Sequence, residues 1–187
     1  MRRQAAWTVA TLVAATLVTA APAQAEERVC RNRTFGAITV DNLRVPDGAT
    51  CTLNGTRVKG TIKVESRATL RAYGVRVVGN VQGENARLVV VREGSVIGGS
   101  VQLVQGGGAR IVRNRITGDL YFDDNRRAIR ANRNRIGGNL EAFQNTGGVS
   151  INHNRIDGNL QCKENDPPPV GGGNVVQGNK EDQCARL

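Results

Sequence analysis

Residues 118–157 read as two lines of twenty, GDLYFDDNRRAIRANRNRIG (118–137) and GNLEAFQNTGGVSINHNRID (138–157), after which GNLQ begins again at 158. Each line opens with Gly, a small polar residue and Leu. Each carries Asn at its eighth position and runs out through Asn-Arg-Ile. A fixed period of this length marks a stacked repeat, because no single unit can bury its own apolar face.

Working outward, aligned glycines fall at Gly60, Gly79, Gly99, Gly118, Gly138, Gly158 and Gly178. An apolar residue stands two places after most of them (Ile62, Val81, Val101, Leu120, Leu140, Leu160). Another usually stands four places after (Val64, Leu103, Phe122, Ala142, Cys162), with Gly83 the exception. That alternation is a short strand with one face inward. Leu70/Ala72, Ala109/Ile111, Ile129/Ala131 and Val149/Ile151 form a second inward pair. Val77, Ile97, Ile116, Ile136, Ile156 and Val176 form a third inward column. The fold class is therefore all-β: a single-domain parallel β-helix of about seven coils, roughly 20 residues each. At about 4.8 Å per rung the array spans roughly 30–35 Å. A right-handed coil is expected, since three strict hexapeptides would give a shorter turn than this period.

Asn125, Asn145 and Asn165 align at one corner, and Asn114, Asn134, Asn154 and Asn174 at another. Asn tolerates left-handed backbone, and stacked amides can bond coil to coil. An internal ladder is the structural reading of these columns; sugar or ice binding is the functional one.

The array is expected over 60–178. Residues 26–59 form an irregular opening coil, with short strands at 35–40 and 50–53 around the turn Pro46-Asp47-Gly48. Residues 179–187 close the other end, where Lys180 replaces the inward Leu. Pro167-Pro168-Pro169 and Gly171-Gly172-Gly173 read as a stiff cap that does not pair as a strand. Cys30 and Cys51 are 21 apart, and Cys162 and Cys184 are 22 apart. One coil of separation puts each pair on neighbouring rungs, so Cys30–Cys51 and Cys162–Cys184 are the expected disulfides.

Disulfides fit an exported chain, and the amino terminus agrees. Arg2-Arg3, the uncharged run 5–20 and Ala23-Gln24-Ala25 read as a signal peptide over 1–25, leaving no membrane span afterwards. The expected location is secreted or wall-associated. The chain holds 26 Lys and Arg against 16 Asp and Glu; losing Arg2 and Arg3 leaves 24 − 16 = +8.

That excess is organised. Arg115, Arg135 and Arg155 stack in one column, with Arg76 further along and Val96 interrupting. Arg113, Arg133 and His153 make a parallel column, and Arg126, Arg127 and Arg130 lie near. Like charges at rung spacing repel, and the Arg fork suits phosphate and carboxylate. The expected partner is an anionic polymer: a wall polymer, an acidic glycan or lipid headgroups. The plainer alternative is a solvated face balanced by scattered acids such as Glu93, Glu141 and Asp157. No aromatics interleave with the arginines, so specific nucleic-acid binding through base stacking is not expected.

An enzyme is the alternative from another class. Asp123-Asp124 is a carboxylate pair after a strand, with Asp119 nearby, a set able to serve a polysaccharide lyase or hydrolase. The rungs on either side offer no matching acid: Phe143 and Gln144 on one, Leu103 and Val104 on the other. No metal or cofactor is expected. His153 has no second ligand, the Cys spacing is not that of zinc, and no phosphate-cradling Gly loop precedes a helix.

The pattern G-N-[LV]-x-x-x-x-N…N-R-I resembles repeats in small exported β-helical proteins of high-GC Gram-positive bacteria. The tail GGGNVVQGNKEDQC (171–184) is similar to their ending. This resemblance implies fold and export, but no activity. A looser similarity over about 60–178 is to bactofilins, whose β-helical coils stack end to end into filaments, and it implies self-association. The signal peptide and the two stapled ends depart from that pattern.

Overall fold

Period-two alternation marks most strands of the first sheet and many of the second among the described residues. The computed structural model describes residues 26–187, and the signal-peptide assignment for 1–25 lies outside the described residues. Three parallel sheets wrap one axis, with nine, eight and eight strands. All described pairings are parallel, and successive partners sit about one coil apart in sequence. Eight full coils result: coil 1 over 27–40, then 42–58, 62–77, 81–97, 101–116, 120–136, 140–156 and 160–176. A ninth strand, Lys180–Asp182, closes the first sheet.

That is one coil more than the glycine column suggests, because 26–59 supplies two rungs. Asn42–Val45 pairs in register with Ile62–Val64, and Thr50–Asn54 with Thr69–Tyr73. The segment looks irregular in sequence because neither of its coils has a leading glycine; Glu26 and Asp41 stand in that place. A second difference lies at the far end. Val170–Gly172 does pair as a strand, with Val149–Asn152. The three prolines occupy the turn before it, where no ladder donor is needed, while the glycines keep their N–H groups.

The core is a thin apolar column in which Ile62, Leu70, Ile97, Ile111, Ile116, Leu120, Ile136 and Leu140 are fully buried. Gly83 faces inward like its column mates. Leu103 fills the space a side chain there would need. The ends are closed separately. Cys30–Cys51 and Cys162–Cys184 are bonded, with Cα separations of 5.6 and 5.2 Å. Arg28 lies over the Phe35 ring at 5.6 Å at one end.

Three polar ladders tie coil to coil. Asn125, Asn145 and Asn165 are buried at the first-to-second corner, and Asn114, Asn134, Asn154 and Asn174 at the second-to-third. Except for Asn114, whose Oδ1 is buried without a partner, each Oδ1 accepts the backbone N–H one coil earlier, as in Asn125 N to Asn145 Oδ1 at 3.0 Å and Asn134 N to Asn154 Oδ1 at 3.0 Å. Each Nδ2 reaches a carbonyl on the coil before, such as Asn154 Nδ2 to Ala131 O at 2.6 Å. The first of these runs ends on Gln183, which bonds Asn165 from the terminal turn. Spent in this way, neither column is a surface for sugar or ice.

The third ladder explains the glycine period. At the third-to-first corner Asn42, Thr61, Asn80, Ser100, Asp119, Asn139 and Asn159 each accept the backbone N–H of the next coil. Each of these side-chain oxygens sits where a Cβ would stand on the following corner glycine. At Gly99 the obstructing atom is Asn80 Oδ1, and at Gly158 it is Asn139 Oδ1. Only a residue without a side chain lets the rungs close to ladder distance.

Candidate functional site

The strands of the third sheet are two residues long, with the first side chain outward and the second in the core. Register therefore builds the arginine column directly. Arg57 pairs with Arg76, Val96 with Arg115, Arg115 with Arg135, and Arg135 with Arg155. All five arginines are exposed. Arg57 belongs to the column at the same offset before its glycine as Arg76 and Arg115. That offset is visible in the sequence, so counting from Gly60 finds it.

Arg113, Arg133 and His153 occupy the turn from the second to the third sheet. Their φ values are 59, 55 and 55°. On coils 2, 3, 4 and 8 the same turn is taken by Gly55, Gly74, Gly94 and Gly173 at 59–71°. The geometry of the turn demands a left-handed residue, and coils 5 and 6 meet it with Arg and coil 7 with His. Non-glycine residues such as Asp124, Gln144 and Glu164 do the same at another corner, so this backbone conformation is a property of the coil and not a mark of the site.

Charge is partitioned by face. The strands of the second sheet carry Arg33, Arg71, Arg92, Arg110 and Arg130, and no acid. Those of the third carry Arg57, Arg76, Arg115, Arg135 and Arg155, and again no acid. Acids on strands are confined to the first sheet, at Glu27, Glu84, Asp123, Glu141, Glu181 and Asp182. Among the described residues, Arg113, Arg115, Arg133 and Arg135 have no carboxylate within 4.0 Å. Asp157 stands 3.8 Å from Arg155 Nε, too long for a hydrogen bond. Of the acids named as balancing this face, Glu141 lies on the first sheet and Asp157 alone reaches a column arginine.

The candidate carboxylates do not converge. Asp119 precedes the strand Leu120–Asp123 and Asp123 ends it, so about 13 Å of extended chain separates them. Asp119 Oδ1 is engaged in the corner ladder, accepting from Asn139 N at 2.8 Å. Asp124 lies in the turn, 3.8 Å from Arg126. Burial raises the Tyr121 phenol above its ordinary value, and the neighbouring Asp123 carboxylate raises it further. No cluster of three His, Cys, Asp or Glu able to hold a metal occurs among the described residues.

A hollow of about 1090 Å³ lies over the first sheet beside Lys63, Gln82, Glu84, Gln102 and Tyr121. Its charges are mixed and its Asp47 is paired with Arg67. It therefore does not extend the arginine surface. No family model, curated protein or solved structure matches this chain.

Proposed function

We propose that the chain is an exported, non-enzymatic binding protein that holds an anionic polymer along its arginine face. The observation that carries this reading is the partition of charge: two adjacent sheets whose strands bear arginines and no acid. Arg113, Arg115, Arg133, Arg135, His153 and Arg155 form the densest part of that surface. Rungs about 4.8 Å apart bring successive guanidinium groups close enough to repel. A bound polyanion relieves that repulsion and releases its own counterions. Arg suits such a ligand better than Lys, because its planar fork bonds phosphate, sulfate or carboxylate through two N–H groups. The disulfides and the signal-like amino terminus support export.

Retention of residues 26–187 on immobilised dextran sulfate across a salt gradient tests the reading, beside a basic control protein of matched size. The protein is expected to elute well after the control. Arg115→Ser, Arg135→Ser and Arg155→Ser together should make the slope of log K against log salt shallower by roughly two to three. Elution with the control, or an unchanged triple variant, would sink the reading.

A further inference from the structure

The second sheet holds a feature that the third-sheet columns do not use. Arg110 and Arg130 are register partners facing outward on adjacent strands. Arg87 and Arg127 stand at the first-to-second corner, with Gly107 on the rung between them. Among the described residues none of the four has a carboxylate within 4.0 Å. They surround a notch of about 240 Å³ whose floor is Leu88, Gly108 and Ala128.

The notch comes from a run of glycines beside a longer turn. Between the inward residues of the first and second sheets, coils 3, 4 and 5 match in register (Val64 to Leu70, Gly83 to Val89, Leu103 to Ala109), and coil 6 takes one residue more, from Phe122 to Ile129. The corner dips at coil 5, before that longer turn. Gly106-Gly107-Gly108 puts no side chain into the dip, so four unpaired cations face one another across an empty centre.

We propose that this notch is a discrete site for a phosphate or sulfate monoester. A carboxylate has two oxygens and is satisfied by one or two guanidinium forks. Four forks arriving from different directions match a tetrahedral group, whose three terminal oxygens each accept more than one N–H. The volume equals about eight waters at the liquid share of roughly 30 Å³ each. That accommodates the oxyanion together with the carbon that bears it. Leu88 and Ala128 offer that carbon an uncharged floor. The site lies on a different sheet from the proposed polymer-binding columns and stands or falls apart from them.

The test is a backbone amide NMR titration of residues 26–187 with glycerol phosphate, glucose 6-sulfate and inorganic phosphate in turn. Saturable shifts confined to 87–88, 107–110 and 127–130 are expected, with both esters tighter than the inorganic ion. Ala128→Phe fills the notch from an exposed position and keeps all four arginines, so the fold is expected to survive. It should weaken ester binding about tenfold or more, as should Arg110→Ser with Arg130→Ser, since each lost charge-assisted contact is worth about that factor. Arg115→Ser with Arg135→Ser should leave ester affinity unchanged. Non-saturable shifts, full affinity in Ala128→Phe, or loss in the third-sheet variant overturns the site. Equal affinity for inorganic phosphate overturns the ester.

Discussion

Asn145→Ala isolates what the buried ladders contribute. Asn145 is fully buried. Its Oδ1 accepts Asn125 N and Asn125 Nδ2, both at 3.0 Å. Its Nδ2 donates to Phe122 O at 3.2 Å and to Asn165 Oδ1 at 2.9 Å. Truncation leaves the Asn125 N–H without an acceptor and removes a donor from Phe122 O. Asn125 Nδ2 keeps Leu103 O, and Asn165 Oδ1 keeps the Asn145 backbone N–H. Two backbone groups therefore lose a partner away from water, at about 1–3 kcal/mol each, which gives an expected loss of roughly 2–6 kcal/mol. Urea unfolding of residues 26–187 with the disulfides intact, followed by far-UV circular dichroism, reads that loss as a lower midpoint at unchanged slope. Asn139→Ala is the internal comparison. It also removes an acceptor, for Asn159 N, but at a half-buried corner that water can reach, so a loss of about 1 kcal/mol or less is expected. A loss under about 0.5 kcal/mol for Asn145→Ala, or equal losses at the two sites, would refute the idea that burial gives the ladder its weight.

Gly138→Ala should destabilise more than any exposed Gly→Ala in the chain, because its Cβ meets Asp119 Oδ1 and the Gly118 backbone; thermal melts beside Gly36→Ala, which has open space, check this. Asp119→Asn should shift stability by no more than about 0.5 kcal/mol, since Asn fills the same ladder position at Asn139 and Asn159. Cys162→Ser with Cys184→Ser should cost about 3 kcal/mol on the chain-entropy estimate and expose the last coil first in hydrogen exchange. Asp41 and Asp47 are held below the ordinary 3.8, chiefly by hydrogen bonds from Lys59 and Arg67. Their contribution is complete above the unfolded pKa and fades as pH falls through the lower folded value, so NMR titration should give both midpoints below 3.8.

Much of this fold can be read from residue positions alone. The inward columns, both disulfides and two of the Asn ladders follow from period and spacing, because a solenoid maps sequence offset directly onto neighbouring rungs. The third ladder is harder to see, since its members are chemically mixed: Asn, Thr, Ser and Asp all serve as the acceptor. What unites them is the glycine before the next member, and that link appears only when the oxygen is found in the place of the missing Cβ. The arginine notch is hidden for another reason. It depends on three glycines in coil 5 and on one extra residue in the coil 6 turn, a difference that an alignment absorbs as irregular spacing. The candidate carboxylates show the reverse. Asp119, Asp123 and Asp124 are close in sequence, yet a strand separates the first from the others.

The distribution of ion pairs links stability to the arginine face. The short pairs, Arg44–Glu27, Lys59–Asp41 and Arg67–Asp47, lie on coils 1 to 3 and the links between them. Those on coils 6 to 8 stand at 3.8 Å. The buried Asn runs begin at Asn114 and Asn125, where the unpaired arginines become dense. That half of the solenoid is thus held by uncharged ladders while its surface charges repel. Four neighbouring pairs contribute: the register partners Arg110–Arg130, Arg115–Arg135 and Arg135–Arg155, and Arg113–Arg133 at the equivalent turns just beyond them. At about 5 Å in water each pair costs roughly 0.8 kcal/mol before screening. Shortening the Debye length from about 30 to 8 Å removes roughly a third of that, so together about 1 kcal/mol is recovered. The melting temperature should therefore rise as sodium chloride goes from about 0.01 to 0.15 M, and the rise should shrink when Arg115 and Arg135 are both Ser. A protein held mainly by surface ion pairs behaves in the opposite way. A melting temperature that falls with salt, or a rise that the double variant keeps in full, would mean these arginines are not the repelling set.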